Sequence, residues 1–240
     1  MRRLRLATGP GALFLAFFVA ALLAFLPLRL ALGWLGLGEQ GLTAREVTGS
    51  IWSGELREAR FGQIAIGDLS AGISPLQLLL GRARVDLSGS GEPSGRRLSG
   101  AISVTRNSFG LDDITATLPV GNAFRPVPVT VLDLDDVSVV FRGDQCERAE
   151  GRVRAAMAAE VGGVAVPAAL TGTARCDGGA LLLPLTSAAG ESSTIRLWPD
   201  GRFRAEMTLV PSDPTAAARM QTAGFINTQA GMQLAIEGRF

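Results

Sequence analysis

The chain has 240 residues, of which 47% are hydrophobic, and its 23 cationic and 22 acidic side chains leave a formal net charge of +1. A nucleic-acid partner is not expected, because it would require a concentrated basic face. Every cationic residue is an arginine, and the sequence contains no lysine, histidine or tyrosine. Histidine is the usual general base near neutral pH and the commonest metal ligand. We therefore expect the protein not to be an enzyme, and we expect no cofactor and no metal site.

An uncharged apolar segment extends from Gly9 to Leu28 near the N-terminus. A helix of about 20 apolar residues can cross the ~30 Å hydrocarbon layer of a membrane. Cationic residues favour the cytoplasmic side of a membrane, and three of them precede the segment: Arg2, Arg3 and Arg5. The segment is therefore predicted to be a transmembrane helix with a cytoplasmic N-terminus, which Pro27 kinks or ends.

The apolar segment divides the chain into a cytoplasmic N-terminus and transmembrane anchor, residues 1–37, and an exported domain, residues 38–240. A cleaved signal peptide is the main alternative, since it also has a basic start and an apolar run. A signal peptide usually has a shorter apolar run, of about 7 to 15 residues, and a cleavage site between small residues. No clean site of that kind precedes the polar residue Glu39, so we favour the anchor.

Beyond Thr43 the apolar residues recur at every second position. The clearest cases are three segments: Arg82 to Ser88, Arg202 to Leu209 and Met232 to Phe240. Such alternation indicates strands that pack on a core with one face only. Glycine, asparagine and aspartate separate many short segments of this kind, which predicts an antiparallel β-sheet domain.

Two short helices are expected to interrupt the strands. The first follows Ser74 as a possible cap, with Pro75 at its first position and Gly81 beyond its end. The second is predicted over Ser212 to Ala223, where Ser212 can cap an alanine-rich segment that Gly224 ends.

The two cysteines, Cys146 and Cys176, both follow the anchor. An even number of cysteines outside the cytoplasm is typical of a disulfide. Two buried free thiols are the alternative, because the sequence does not show that the side chains meet. A metal site is less favoured, since the spacing is not C-x-x-C and no histidine accompanies the pair.

Acidic residues cluster at Leu132 to Asp136 and at Asp112 and Asp113. Oxygen-rich clusters can bind calcium, but these lack the glycine and the final glutamate of an EF-hand loop. We interpret them as solvated strand edges or turns.

Gly49 and Gly54 flank Trp52 in a strand context. We predict that Trp52 is a large aromatic side chain buried between strands, with its indole N–H bonded to a backbone carbonyl. The two glycines would supply a bulge or a close backbone approach beside it. This predicts a structural core motif and not a catalytic site.

Several short motifs together resemble the type II secretion system protein N family, also called general secretion pathway protein N. They are T-G-S-I-W-S-G at Thr48 to Gly54, S-P-L-Q-L-L-L-G at Ser74 to Gly81, the two cysteines, L-L-L-P-L after the second cysteine, W-P-D-G-R-F-R at Trp198 to Arg204, and a final strand that ends in G-R-F. The resemblance implies a single-pass protein of the bacterial inner membrane with a β-rich periplasmic domain. It also implies an accessory role in the export of folded proteins across the outer membrane, with other secretion subunits as partners. The family offers no catalytic residues for transfer to this chain.

A more distant resemblance links the chain to AsmA-like and lipopolysaccharide-transport proteins of the periplasm, whose curved, open sheets enclose an apolar groove. The expected fold is therefore mainly β, with an N-terminal transmembrane helix, a curved open antiparallel sheet and two short helices. Two functions follow as hypotheses: a docking component of the secretion machinery, or a lipid-binding or lipid-transport module.

Overall fold

A computed structural model of the protein describes residues 10–34, 41–62, 64–91, 96–121, 124, 127–161, 164–211 and 213–239. The three arginines on which the predicted orientation rests, Arg2, Arg3 and Arg5, lie outside these residues, as does Ser212.

The apolar N-terminal segment forms two helices, α1 (Pro10–Ala24) and α2 (Leu28–Trp34). They are separated by a break at Pro27, which forms an isolated antiparallel bridge with Ser50. The proline therefore lies where the helix was expected to end. In the described part of the chain, no helix has both the length and the apolar character that crossing a membrane requires.

The rest of the described chain is mainly β-structure. The first strands are β1 (Leu42–Thr43), β2 (Glu46–Ser50), β3 (Ser53–Phe61), β4 (Ile64–Ile73), β5 (Ala83–Gly91), β6 (Arg96–Val104), β7 (Ser108–Pro119), β8 (Val129–Arg142) and β9 (Gln145–Met157). The later strands are β10 (Glu160–Val161), β11 (Val164–Ala165), β12 (Ala169–Thr173), β13 (Arg175–Asp177), β14 (Ala180–Thr186), β15 (Ser192–Leu197), β16 (Arg202–Leu209), β17 (Ile226–Thr228) and β18 (Gly231–Arg239).

Sixteen of these strands form one antiparallel sheet, in which β10 and β11 do not take part. Its order is β1-β3-β4-β5-β6-β7-β8-β9-β12-β14-β15-β16-β18-β17, with β2 paired to β3 and β13 paired to β14. Most strands lie beside their neighbours in sequence because short turns connect them. The expectation of an open antiparallel sheet is confirmed.

The sheet has one apolar face, here called the inner face. The register of the strands places apolar residues of neighbouring strands opposite each other on this face. Residues opposite each other in a ladder project to the same side of the sheet. Pairs on the inner face include Leu56 with Leu69, Ile73 with Val85, Leu111 with Val139, Leu183 with Ile195, and Met207 with Leu234. The alternation along each strand therefore produces a single apolar surface across the whole sheet.

The main core lies on the inner face from β8 to β18. Its fully buried side chains include Leu170, Leu185, Ile195 and Met207. Two segments outside the sheet also contribute side chains to this core. The connection between β7 and β8 contributes Phe124 and Val127, and a helix between β16 and β17 contributes Met220. The ring of Phe124 meets that of Phe203 edge-on at 5.5 Å between centroids.

A second, smaller core lies at the other end of the sheet, where helix α2 packs on β3 and β4. It consists of Leu28, Leu56, Ala59 and Leu69, with Leu32 packed against them. This contact attaches the N-terminal segment to the sheet.

The two short helices are α3 (Pro75–Leu79) and α4 (Pro214–Thr222). Pro75 occupies the start of α3 as predicted, but the Ser74 side chain makes no capping hydrogen bond. Helix α4 begins two residues later than predicted, and its N-cap is Asp213 and not Ser212. The Asp213 carboxylate accepts a hydrogen bond from the Ala216 backbone N–H at 2.7 Å, which satisfies one of the amides that a helix start leaves unpaired.

Candidate interaction surfaces

The inner face is not equally buried along the sheet. Six of the apolar residues that β4, β5, β6 and β7 place there are only half-buried: Ala71, Ile73, Val85, Leu87, Ile102 and Leu111. From β8 onward the corresponding residues are largely buried in the main core. The middle of the sheet therefore presents an apolar surface that is more accessible than the rest of the inner face.

The opposite, outer face is polar and carries ion pairs between neighbouring strands. Arg152 pairs with Asp135 at 2.6 Å, and Arg204 pairs with Glu237 at 3.0 Å. The hydrogen bond that Arg152 donates to the Asp135 carboxylate raises the pKa of the Arg152 guanidinium above its ordinary value. Exposed pairs of this kind contribute little to stability.

The acidic clusters lie where two adjacent strands bulge. Asp113 of β7 and Asp136 of β8 both have left-handed backbones, with φ of 53° and 56°. The Ser138 hydroxyl donates a hydrogen bond to the Asp113 carboxylate at 3.0 Å and accepts one from the Asp113 N–H at 2.9 Å. No group of His, Cys, Asp or Glu suited to a metal ion occurs among the described residues. The clusters are therefore a part of the β7–β8 ladder.

The Gly49, Trp52 and Gly54 motif forms the hairpin between β2 and β3. Gly49 and Gly54 pair directly, and the backbone of Gly49 is left-handed, with φ of 83°. A Cβ atom on Gly54 would overlap the Leu28 side chain of α2. The absence of a side chain at Gly54 therefore leaves room for Leu28, which joins this hairpin to the N-terminal segment.

The prediction that Trp52 is buried between strands is wrong. Trp52 lies in the turn of the hairpin and is half-buried, whereas its neighbour Ile51 is 8% exposed. Ile51 also donates its N–H to the Leu26 carbonyl at 3.0 Å and accepts a hydrogen bond from the Ile73 N–H at 3.0 Å. Ile51 thus has the structural role that the sequence assigned to the tryptophan. In the sequence, the contact between Ile51 and the N-terminal segment is indicated only by the neighbouring Pro27 and Gly54.

Cys146 and Cys176 form a disulfide, with their Cα atoms 5.5 Å apart. The bond joins the start of β9 to β13 and thereby closes the segment that contains β12. The Cys146 N–H also donates to the Gly179 carbonyl at 2.8 Å.

One edge of the sheet has unpaired backbone. Strand β18 pairs with β16 from Met232 to Arg239, but β17 covers only Gly231 to Gln233 on the other side. Within the described chain, residues 234–239 have no strand beside them on that side. An open edge can accept a strand from a partner through backbone hydrogen bonds.

Comparison with known proteins identifies the family. The family model described as type II secretion system (T2SS), protein N matches residues 40–228. The chain belongs to the type II secretion system protein N family. The resemblance inferred from the short motifs is thus confirmed.

The chain is also similar to the type II secretion system protein N of Vibrio cholerae serotype O1 (strain ATCC 39315 / El Tor Inaba N16961). The two are 29% identical over 153 residues, which are 60% of this chain and 60% of the relative. The match therefore spans about three fifths of that protein's length. No solved structure matches the chain.

Proposed function

We propose that this protein is an accessory, non-catalytic component of the type II secretion machinery. In this proposal α1 anchors it in the inner membrane, and its periplasmic sheet docks with other secretion subunits. The match of residues 40–228 to the protein N family carries the proposal. Docking requires only surfaces, and the described residues supply two: the half-buried inner face between β4 and β7, and the open edge of β18.

The exposure of α1 supports the membrane anchor. The apolar side chains of α1 whose exposure the structure describes project outward instead of packing on the sheet: Phe14 is 73% exposed, Phe17 is 75% exposed and Leu15 is 61% exposed. A helix that is apolar on all sides needs an apolar surrounding, and a lipid bilayer provides one. The contact of α2 with the small core would then hold the sheet beside the membrane surface.

For the topology, we expect a reporter that is active only in the periplasm to be active when it is fused after Phe240. The reason is that the apolar segment, preceded by three arginines, keeps the N-terminus in the cytoplasm and exports the rest. The matched control is the same fusion to a chain in which α1 is deleted, which should be inactive. Activity of a cytoplasmic reporter at Phe240 would contradict the topology. A mature N-terminus just after α2 would establish a cleaved signal peptide instead.

For docking, we expect a photo-crosslinking residue at Ala235, on the open part of β18, to capture another secretion subunit in cells. The same residue at Ala189, an exposed position in the turn between β14 and β15, is the control and should capture none. Equal capture at both positions, or none at Ala235, would exclude the edge as the docking site.

A lipid-binding or lipid-transport role is the second candidate, and the half-buried apolar residues of β4 to β7 favour it. A strain that lacks the protein distinguishes the two functions. Loss of folded exoproteins from the medium supports secretion, whereas normal export with altered outer-membrane lipid supports the lipid role.

A further inference from the structure

The end of the sheet next to α1 can be traced through backbone hydrogen bonds. The Leu26 carbonyl, just after α1, accepts from Ile51 in the β2–β3 turn, and the Ile51 carbonyl accepts from Ile73 at the end of β4. Helix α3 follows directly, and Ser74 donates its N–H to the Arg84 carbonyl of β5. The β2–β3 turn, α3 and the start of β5 therefore lie at one end of the sheet. The antiparallel register of β5 and β6, in which Ala83 pairs with Val104, adds the β6–β7 turn to that end.

In addition to the side chains of α1, four exposed apolar side chains lie at this end of the sheet. Leu80 is 84% exposed, Val104 is 47% exposed, and Leu78 and Phe109 are each 39% exposed. Val104 and Phe109 are directly paired across β6 and β7. Two exposed arginines accompany them, and Leu80, Arg82 and Arg106 line the same cavity. The anchor-end patch is defined here by six residues: Leu78, Leu80, Arg82, Val104, Arg106 and Phe109.

The charge of the anchor-end patch is uniformly positive. Residues 75–84 and 98–111 contain no aspartate or glutamate. Among the described residues, neither Arg82 nor Arg106 forms an ion pair, whereas the adjacent Arg84 pairs with Asp86 and Asp112. The patch ends at the β8–β9 turn, which carries the exposed Asp144 and an ion pair between Arg142 and Glu147.

We propose that the anchor-end patch binds the surface of an anionic phospholipid bilayer, the same membrane that holds α1. This inference rests on the proposed membrane anchor. Leucine and phenylalanine side chains can enter the boundary between headgroups and acyl chains, while arginine binds the lipid phosphates. Strands are about 4.8 Å apart, so β6 lies roughly 15 Å from β3 and within reach of the membrane that the anchor enters.

Two features favour a membrane over an acidic protein as the occupant. The patch lies at the same end of the sheet as the exit of α1, and Trp52 is half-buried in the turn between them. Tryptophan is enriched at membrane interfaces, where its ring spans apolar and wet surroundings. A second contact besides the anchor would restrain the tilt of the sheet. The inner face and the β18 edge would then keep a constant orientation to the membrane.

The test uses the full chain in lipid nanodiscs that contain phosphatidylglycerol as the anionic lipid. A fluorophore is attached to a single added cysteine, and quenching by lipids that carry a nitroxide at the headgroup is measured. The native cysteines are bonded to each other, so they do not react. We expect Leu80→Cys to be quenched severalfold more than Ala189→Cys, which lies at the opposite end of the sheet.

A third label, Phe17→Cys in α1, separates this inference from the proposed anchor. Quenching of Phe17 by acyl-chain nitroxides without quenching of Leu80 by headgroup nitroxides would overturn only the patch. Failure of both labels would overturn the anchor. A Leu80 label that is shielded from aqueous iodide but not quenched by lipid would assign the patch to a second copy of the chain, and so would also overturn the proposal.

The arginines supply a second readout. Replacing Arg82 and Arg106 by glutamine should weaken the contact of the patch with anionic nanodiscs. The ratio of molecules whose patch touches the membrane to molecules whose patch does not should fall by about fivefold for each arginine. The control is the same change at Arg60 and Arg154, two exposed arginines outside the patch. A similar loss in the control, or no loss in the Arg82 and Arg106 variant, would contradict phosphate binding by the patch.

Discussion

Replacing Cys146 and Cys176 together by serine is expected to lower the free energy of unfolding by about 3 to 4 kcal/mol. The bond closes a loop over a sequence separation of 30, and loop-closure entropy in the unfolded chain predicts a loss of this size. The variant should therefore unfold at a lower denaturant concentration than the oxidised protein. Denaturant titration of the full chain in detergent, followed by circular dichroism, measures the loss.

Thiol labelling of the unreduced, denatured protein is the control for the bond itself. We expect no labelled cysteine without a reductant and two labelled cysteines after reduction. Two labels before reduction would show that the bond does not form in the cell. Equal stability of the oxidised protein and the double serine variant would contradict the proposed stabilisation.

Leu170→Ala is expected to destabilise the protein by about 2 to 5 kcal/mol, the usual range for removing a fully buried leucine side chain. Leu170 lies on the inner face of β12, opposite Ala155 of β9, and is 0% exposed. Its small neighbour offers few atoms that could fill the resulting cavity. The loss of stability should appear as a lower denaturation midpoint and a lower amount of protein in cells.

Leu80→Ala is the matched control, because the same atoms are removed from a side chain that is 84% exposed. We expect its stability to equal that of the unmodified protein, whereas the membrane contact of the anchor-end patch should weaken. A comparable loss of stability in both variants would mean that Leu80 is packed in the folded protein.

The two leucine variants also separate folding from function. The family membership supports a role in secretion, but any destabilised variant would export less simply because less protein is present. A variant that accumulates normally and still lowers export identifies a surface that acts directly. Leu80 and Ala235 are suitable positions for this comparison, because both are exposed.

The sequence alone determined most of the strands, because the side chains of a strand alternate between two faces wherever the strand is placed. The predicted segment from Arg202 to Leu209 coincides with β16. Within β7 the alternation is regular only from Ile114 to Leu118, although the strand begins at Ser108, because the bulge at Asp113 interrupts it. Bulges arise from pairing with a distant strand, so local periodicity does not reveal them.

Only the tertiary structure decided which parts of the apolar face are covered. The main core depends on Phe124, Val127 and Met220 reaching the inner face from outside the sheet, and no local pattern predicts that contact. The same limitation explains why Trp52 was misplaced. Its size favours burial, yet the hairpin places Ile51 against the N-terminal segment and leaves Trp52 half-buried. Composition sets how much apolar surface a chain must bury, but the packing of segments distant in sequence determines which residues bury it.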